Sequence, residues 1–397
     1  MHPGNIGYED GKLVVPDHPT VAFMPGDGIG PEVWEGARPV LDQAVLESYG
    51  GARQIEWVEL PLGQSALDAH GALLPDSTVQ AIRRLRVAIK GPTMTPVGSG
   101  HRSLNVTLRQ SLDLYANVRP VRYFPGVESP VRYPERLDVV IFRENTEDVY
   151  AGIEFERGSE DCAQLRQALG ELGHQVSADA ALGIKPISRG GSRRLVRAAL
   201  DFALQQGRAR VTLVHKGNIM KATEGGFCRW GYELAAQDYE GRVGQGDVPD
   251  GVVLIEDRIA DAMFQDLLLK PQLFGVIAAP NLNGDYLSDA CAAQVGGLGI
   301  APGANIGDGV ALFESTHGTA PDIAGQGIAN PGSMMLSGAM LLEHLGWSEA
   351  ARGVIDGFAR VLQSGRMTGD LAAGREGLQV LGTQAFSNAV RRAIRDS

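Results

Sequence analysis

The chain has 397 residues, 44% of them hydrophobic and 21% charged, which is typical of soluble globular proteins with about two or three domain-sized units. Its formal charge of −11 argues against a nucleic-acid-binding surface, which would present a basic face. No apolar run approaches the roughly 20 residues of a membrane span, and no secretory signal is visible. The three scattered cysteines, Cys162, Cys228 and Cys291, favour the reducing cytoplasm over a disulfide framework.

Short apolar segments alternate along the chain with stretches of helical periodicity. A strand is predicted at 20–24, followed by a helix from Pro31 to about Leu46 with the proline in its first turn. Ser192 is predicted to cap a second helix. Further strands are predicted at 86–90, 138–142, 211–215 and 274–279. This alternation predicts an α/β protein with a largely parallel sheet.

The glycine-rich segment PGDGIGPE (25–32) follows a predicted strand and opens a helix, as a dinucleotide-binding loop does. Its glycines, however, follow the spacing G-x-G-x-G, whereas the Rossmann fingerprint is G-x-G-x-x-G. No acidic residue ends a second strand about 20 residues later, as that fingerprint requires. The pattern therefore favours a strand-to-helix turn that only packs.

The segment NLNGDYLSDA (281–290) places Asp285 and Asp289 four residues apart, directly after a predicted strand. If a helix begins near Asn283, both carboxylates share one face and can approach one divalent cation. Oxygen ligands without nearby His or Cys favour Mg²⁺ or Mn²⁺ over zinc. Asp257 and Asp261 form a second such pair. A solvated acidic helix face is the alternative for this spacing.

The segments 101–124 and 143–150 are rich in arginine. Several guanidinium groups together can bind a polycarboxylate through paired hydrogen bonds. Nearby acidic residues leave a surface ion-pair network as the alternative, and Tyr150 alone could be a packing residue. Lys216 follows the strand at 211–215, where open α/β sheets often place their chemistry, although a surface role is equally open.

Taken together, the sequences of these segments and their order along the chain are more specific than any single segment. RSLNV-x-LRQ, RPVRYF, FRENTEDVYAGIE, LVHKGNIMK-x-TEG, NLNGDY-x-SD, GIAPGANIG and THGTAPDIAG follow one another between about residues 20 and 350. In this the chain closely resembles the bacterial-type isocitrate dehydrogenases. These belong to the isocitrate/isopropylmalate dehydrogenase family of β-decarboxylating enzymes, with the homoisocitrate and tartrate dehydrogenases.

The resemblance implies an α/β fold distinct from the Rossmann fold. A large α/β domain, 1–114 and 296–397, would bind the cofactor. A small α/β domain, 115–147 and 189–295, would carry the substrate site, the metal site and the dimer interface, and 148–188 would form a clasp. The resemblance also implies a cytoplasmic homodimer with shared active sites, and no nucleic-acid or membrane partner.

The implied reaction is the oxidative decarboxylation of isocitrate to 2-oxoglutarate and CO₂. By resemblance, the substrate would be bound by Ser103, Asn105, Arg109, Arg119 and Arg143. Mg²⁺ or Mn²⁺ would be held by Asp285 and Asp289, joined by Asp257 from the second subunit. Tyr150 and Lys216 would be the catalytic proton-transfer pair, Lys216 also coming from the second subunit. Isopropylmalate enzymes present apolar side chains where Ser103 and Asn105 stand, so the loop favours a third carboxylate.

The loop HGTAPDIAGQGIANP (317–331) resembles the adenosine-binding loop of the family. NADP-using bacterial members have Lys-Tyr in place of Asp322-Ile323, and Tyr and Arg in place of Gly369 and Ala373. A carboxylate a few Å from the extra phosphate of NADP would cost on the order of several kcal/mol, so NAD is predicted. Met94 stands where many members have a threonine near the nicotinamide. The residues expected to contact the cofactor are Thr95, His317, Gly318, Thr319, Ala320, Pro321, Asp322, Ile323 and Asn330.

Two other functions stay open. The same chemistry could act on an isocitrate-like substrate, such as homoisocitrate or a phosphonate analogue. The chain could also be a non-catalytic regulatory subunit, but such subunits usually lose catalytic or metal positions, which are all present here.

Overall fold

The structure, a computed structural model, describes residues 4–94 and 103–396. The α-helices of these residues are α1 Gly30–Tyr49, α2 Gln64–His70, α3 Asp76–Leu85, α4 Leu104–Ser111, α5 Glu160–Glu171, α6 Arg189–Gln205, α7 Glu224–Asp238, α8 Ala260–Leu269, α9 Asn281–Val295, α10 Gly332–His344, α11 Ser348–Gln363, α12 Gly369–Ala372 and α13 Thr383–Arg395. The strands are β1 Gly7–Glu9, β2 Lys12–Val14, β3 Thr20–Met24, β4 Glu56–Glu59, β5 Val87–Lys90, β6 Ala116–Arg122, β7 Asp138–Glu144, β8 Glu154–Phe155, β9 Leu182–Gly183, β10 Arg210–His215, β11 Val243–Gly244, β12 Val253–Ile259, β13 Val276–Ala279, β14 Pro302–Gly307, β15 Val310–Ser315, β16 Arg366–Met367 and β17 Gln379–Val380.

One sheet of eleven strands runs through the described chain in the order β11-β12-β10-β13-β7-β6-β14-β15-β5-β3-β4. Its outer parts are parallel, as predicted, and carry the near-continuous apolar strands expected of a sheet covered on both faces. At its centre, β6 pairs antiparallel with β7 and β14, and β14 pairs antiparallel with β15. The predicted α/β class and the non-Rossmann topology are confirmed.

The buried apolar side chains of the described residues form three clusters. The first core covers one face of the whole sheet, packing it against α1, α6, α7, α10, α11 and α13. On the other face, the second core packs α8 and α9 against β7, β10 and β13. The third core packs α3 and α4 against β3, β5 and β15. A region between α4 and α9 separates the second core from the third. We call this region the junction.

Most predicted elements agree with the observed ones within two residues, but one helix start is wrong. Ser188, and not Ser192, caps α6, since the Ser188 side chain accepts a hydrogen bond from the Gly191 amide. Ser192 lies inside the first turn and donates its hydroxyl to the Ser188 carbonyl at 2.7 Å. Both serines precede the same apolar periodicity, which therefore does not distinguish them.

The predicted domain borders stay a prediction, because the sheet is continuous across both predicted α/β domains. The predicted clasp, 148–188, contains α5 and a two-stranded antiparallel pair of β8 and β9. In the part of the chain that the structure describes, no helix is both long and apolar enough to cross a lipid bilayer.

Candidate active site

Side-chain alternation brings four charged residues, Lys90, Arg119, Arg143 and Glu314, to the same face of the sheet at the junction. On each strand, the residue two positions away from the charged one belongs to the second or third core. Because strand side chains alternate between faces, the charged groups point to that same side. All four are buried, with exposed fractions of 8% or less. Buried charges require partners. Lys90 and Glu314 pair with each other, α4 supplies a further partner to Glu314, and α9 supplies one to Arg143.

Arg109, from α4, is held by a buried carboxylate. Its Nη2 donates to Glu314 Oε1 at 2.8 Å, and Lys90 Nζ lies 3.2 Å from Glu314 Oε2. Burial alone would raise the pKa of Glu314, but Arg109, Lys90 and Arg119 hold it well below its usual value. Arg109 Nε is buried without a partner among the described residues, as expected of a donor reserved for a ligand.

Arg143, Tyr150 and Asp285 form a compact group on the other side of the junction. Arg143 donates Nε to Asn281 Oδ1 at 2.8 Å and Nη1 to Asp285, and its guanidinium lies 4.8 Å from the Tyr150 ring centroid. The Tyr150 hydroxyl donates to the other Asp285 oxygen. Burial and this carboxylate raise the pKa of Tyr150 to about 12. Tyr150 is therefore protonated at neutral pH and can act as an acid.

Asp285 and Asp289 lie on one face of α9, as the spacing predicts. Partial burial raises the pKa of Asp289; Arg119 and Arg143 oppose the rise, while Asp285 adds to it. A divalent cation between the carboxylates would remove this repulsion. The donor set is oxygen only, so the residues fit Mg²⁺ or Mn²⁺.

The close contact between α9 and β7 depends on Gly284. A Cβ at this position would lie 2.6 Å from Arg143 Cβ, so a side chain would force the helix away from the buried arginine. We expect Gly284→Ala to lower the free energy of unfolding by about 1–3 kcal/mol, the usual cost of overpacking. Urea denaturation measures this. The control is Gly170→Ala in α5, where a Cβ meets nothing within 4 Å. An equal loss of unfolding free energy in both variants would contradict the importance of the close contact between Gly284 and Arg143.

The start of α4 carries the two polar residues expected to bind a third carboxylate. Ser103 is the residue preceding the helix, and its hydroxyl does not cap it. Asn105 Oδ1 accepts a hydrogen bond from Thr93 Oγ1 at 3.1 Å. Thr95, a predicted cofactor contact, lies outside the described residues.

The PGDGIGPE turn packs against the predicted cofactor loop, as the non-Rossmann interpretation requires. The Ile29 amide donates to the Thr319 carbonyl at 2.9 Å, and a Cβ on Gly28 would lie 2.0 Å from that oxygen. Gly28 also has φ +59°, which favours glycine. Asp27 accepts from the Met94 and Gln64 amides, each at 2.8 Å. The motif thus joins the loops at 91–94 and 317–320.

The predicted cofactor loop begins with a half-buried histidine. Burial lowers the pKa of His317, and its Nε2 is buried without a partner among the described residues. Such an orphan donor or acceptor fits a ligand that supplies the missing hydrogen bond. Gly318, Thr319 and Ala320 follow, the last with φ +37°. The start of the loop therefore leaves the His317 Nε2 atom available to a ligand.

The second half of the loop presents a carboxylate outward. Pro321 and Asp322 are exposed, while Ile323 packs partly against the first core. The loop contains no Lys or Arg between 317 and 331. The Asn330 side chain donates to Asp370 Oδ2 at 2.9 Å and accepts from the Gly332 amide at 2.8 Å, so its amide is already engaged within the fold.

Lys216 and Asp257 lie at the ends of β10 and β12, and neither makes a hydrogen bond to Tyr150, Asp285 or Asp289 within the described chain. Lys216 pairs with Asp261. Within the described chain, the predicted proton-transfer pair, Tyr150 and Lys216, is therefore not joined by a hydrogen bond.

Both oxygens of Asp257 are engaged by neighbours. Tyr232 donates to Oδ1 at 2.7 Å, and His215 Nε2 lies 3.2 Å from Oδ2. The Gly217 amide donates to His215 Nδ1 at 2.9 Å, so the proton of the neutral ring is on Nε2. His215, Cys228 and Asp257 have ligand atoms within 4.8 Å of one another, but this tautomer turns an N–H, not a lone pair, toward the group. His215 thus orients Asp257.

Comparisons with known proteins agree with this fold. The model of the family described as "Isocitrate/isopropylmalate dehydrogenase" matches residues 20–390. The chain belongs to this family. It is 51% identical to "Isocitrate dehydrogenase [NADP]" of Streptococcus salivarius over 97% of the chain and 98% of that protein. It is 50% identical to the protein of the same name from Archaeoglobus fulgidus, over 97% and 95%. The crystal structure of isocitrate dehydrogenase from Methylococcus capsulatus superposes with a TM-score of 0.80 at 40% identity, covering 95% of this chain and 99% of that one.

This member of the isocitrate/isopropylmalate dehydrogenase family also has site residues that sequence reasoning missed. Lys90 ends the apolar strand β5, and Glu314 is the next-to-last residue of the largely apolar β15. A charge in such a strand is the one signal that could have singled them out. Asp148, Lys185 and Glu224 form another buried group beside α9. Their partners are distant in the sequence, so no local spacing connects them.

Proposed function

We propose that the protein catalyses the metal-dependent oxidative decarboxylation of isocitrate to 2-oxoglutarate and CO₂, with NAD as the hydride acceptor. The observation that carries the proposal is the convergence of Arg109, Arg119 and Arg143 with a carboxylate pair at the junction. The relatives named isocitrate dehydrogenase support the substrate.

The substrate carboxylates would be bound by the arginines. Arg143 remains charged at neutral pH because burial lowers its pKa only to about 10. Arg109 has a buried Nε donor to offer, and the Ser103 and Asn105 side chains at the start of α4 suit a further carboxylate. Arginine recognises carboxylates through its planar set of donors.

Asp285 and Asp289 would hold the cation, joined by Asp257 of a second copy of the chain. A bound divalent cation would lower the pKa of the substrate's C2 hydroxyl and stabilise negative charge on the oxygen. The Lys216 amine of a second copy would take the proton of the C2 hydroxyl as hydride passes from C2 to NAD. The C–CO₂ bond would then break and leave its electron pair on the substrate as an enolate. Tyr150 delivers a proton to C3, in keeping with its high pKa.

We propose that a homodimer completes this site. Lys216 and Asp257 are partly exposed, with side-chain exposed fractions of 33% and 41%, and neither reaches the junction of its own chain through a hydrogen bond. Sharing between subunits would bring the Lys216 amine to the C2 hydroxyl, where it would assist deprotonation.

The NAD preference rests on the loop and not on the relatives, whose names give NADP and do not support it. Asp322 is exposed, and the loop lacks a cation to meet a 2′-phosphate. The neighbouring segment is attached to the loop through Asp370 and Asn330, and it carries Gly369 and Ala373, which offer no charge.

Glu32 of α1 holds the predicted cofactor loop, 317–331, through hydrogen bonds. Burial would raise the pKa of Glu32, but hydrogen bonds from the Thr383 hydroxyl and the Ala329 and Gly327 amides lower it. We expect Glu32→Gln to raise KM for NAD about tenfold, since hydrogen bonds to a charged group are worth about 1.5–3 kcal/mol. Steady-state kinetics at saturating isocitrate measure this. The control is Glu35→Gln on the exposed side of the same helix. An unchanged KM for NAD in Glu32→Gln would show that Glu32 does not hold the loop for cofactor binding.

The proposed function is tested by the purified protein alone. With isocitrate, Mg²⁺ and NAD, we expect NADH and CO₂ to form in equal amounts, and EDTA to abolish both. Homoisocitrate and 3-isopropylmalate serve as competing substrates. A higher kcat/KM for either, or no reaction with isocitrate, would contradict the substrate assignment.

A further inference from the structure

A group of three charges, two of them buried, lies where the two ends of the predicted clasp meet the start of α9. Asp148 and Glu224 have exposed side-chain fractions of 1% and 0%, and Lys185 lies between them. Lys185 Nζ contacts Asp148 Oδ1 and lies 2.9 Å from Glu224 Oε1. One ammonium thus compensates two carboxylates that are removed from water.

Asp148 determines the path of the turn that carries Tyr150. Its φ of +70° is unusual for a residue with a side chain, and its amide donates to the Pro186 carbonyl at 2.8 Å. Asp148 Oδ1 accepts from the Val149 amide at 2.7 Å, while Oδ2 accepts from the Leu282 amide at 3.0 Å. The same carboxylate therefore binds both the Tyr150 turn and the first turn of α9.

Glu224 makes the corresponding connection to Lys216. Its Oε2 accepts from the Lys216 backbone amide and from Asn283 Nδ2, the latter at 2.8 Å. Asn283 lies on α9, two residues before Asp285. The two carboxylates thus connect α9 to the segments of Tyr150 and Lys216.

Lys185 comes from outside these segments. It lies between β9 and α6, where the predicted clasp returns to the sheet. Burial alone would lower the pKa of Lys185, but its contacts with the carboxylates of Asp148 and Glu224 raise it, so the amine is charged. Without that charge, two buried carboxylates would be left uncompensated and their hydrogen-bonded segments would rearrange.

We propose that Lys185, near the end of the predicted clasp, is a positioning residue that holds the Tyr150 turn, the Lys216 turn and α9 in one arrangement. This inference rests on the proposed function, because Tyr150 and Asp285 are the groups being positioned. Replacing a residue that orients metal ligands typically lowers metal affinity or activity about 10–100-fold. We expect an effect of about that size here.

The test compares Lys185→Met, Lys185→Arg and the wild type. Two quantities are measured: Mn²⁺ affinity by electron paramagnetic resonance, and the rate of decarboxylation of oxalosuccinate, the keto intermediate. We expect Lys185→Met to weaken Mn²⁺ binding and slow decarboxylation about 10–100-fold, and Lys185→Arg to restore most of both. The control is Arg157→Met, which breaks an exposed ion pair with Asp179 in the same segment.

Wild-type values in Lys185→Met, or equal losses in Arg157→Met, would overturn the proposal. If Lys185→Met does not fold, judged by circular dichroism, Lys185→Gln decides on the same two readouts. A wild type that does not oxidise isocitrate refutes the proposed function, and the Mn²⁺ affinities then still decide whether Lys185 positions α9.

Discussion

Replacing Tyr150 with phenylalanine is expected to slow the decarboxylation of oxalosuccinate by about 10²–10⁴-fold, the usual contribution of a positioned general acid. The phenylalanine keeps the aromatic ring beneath Arg143. It lacks only the hydroxyl group that donates a hydrogen bond to Asp285 in the wild type. Because the pKa of Tyr150 is raised to about 12, the wild-type hydroxyl carries its proton throughout the neutral range. Reduction of the same keto acid by NADH needs no proton at C3, so it should change much less.

The two half-reactions are measured on the same protein preparation, by 2-oxoglutarate formation and by NADH consumption. Tyr133→Phe is the control, since Tyr133 is exposed and its ring lies against Arg132 and Arg136, not against the Arg143 group. Equal losses in both half-reactions of Tyr150→Phe would indicate a general disturbance of the site and remove the assignment of Tyr150 as the acid.

The double substitution Asp322→Lys and Ile323→Tyr is expected to shift the ratio of kcat/KM for NAD over NADP by at least about 100-fold toward NADP. At 4 Å and an effective dielectric near 20, one pair of unit charges interacts by about 4 kcal/mol, and solvent exposure reduces this. A shift of about 2.7 kcal/mol corresponds to 100-fold. The change replaces a repulsion by an attraction, and the loop holds no other cation between 317 and 331.

Asp322→Asn separates the two contributions, because it removes the repulsion without adding a charge. Asp247→Lys, at an exposed position outside the loop, controls for the change in net charge. An unchanged cofactor ratio in the double variant, or a wild type that already prefers NADP, would refute the electrostatic account of Asp322. The second outcome would agree with the names of the relatives.

The sequence predicted those parts of the fold that depend on local patterns. The strand at 20–24 agrees with β3, and the spacing of Asp285 and Asp289 places both on one face of α9. Helix and strand periodicity are properties of neighbouring residues, so they can be seen without the tertiary structure. The antiparallel pairing of β14 could not be predicted in this way, because it depends on partners distant in the chain.

The candidate site likewise contains residues that local motifs identify and residues that only the tertiary structure reveals. The motifs identified Arg109, Arg143 and Tyr150, and the structure brings all three to the junction. Glu314 was missed because its partner Arg109 is 205 residues away, and only the fold shows that its charge is neutralised. The roles of Lys216 and Asp257 depend on a second copy of the chain, so they stay predictions.

The most direct test of the account is a crystal structure of the protein with isocitrate and Mg²⁺. We expect the ion between Asp285 and Asp289, the substrate carboxylates on Arg109, Arg119 and Arg143, and the third ion-binding carboxylate, Asp257, from the other subunit. Isocitrate absent from the junction at saturating concentration, with the aspartate pair directed to bulk water, would contradict it.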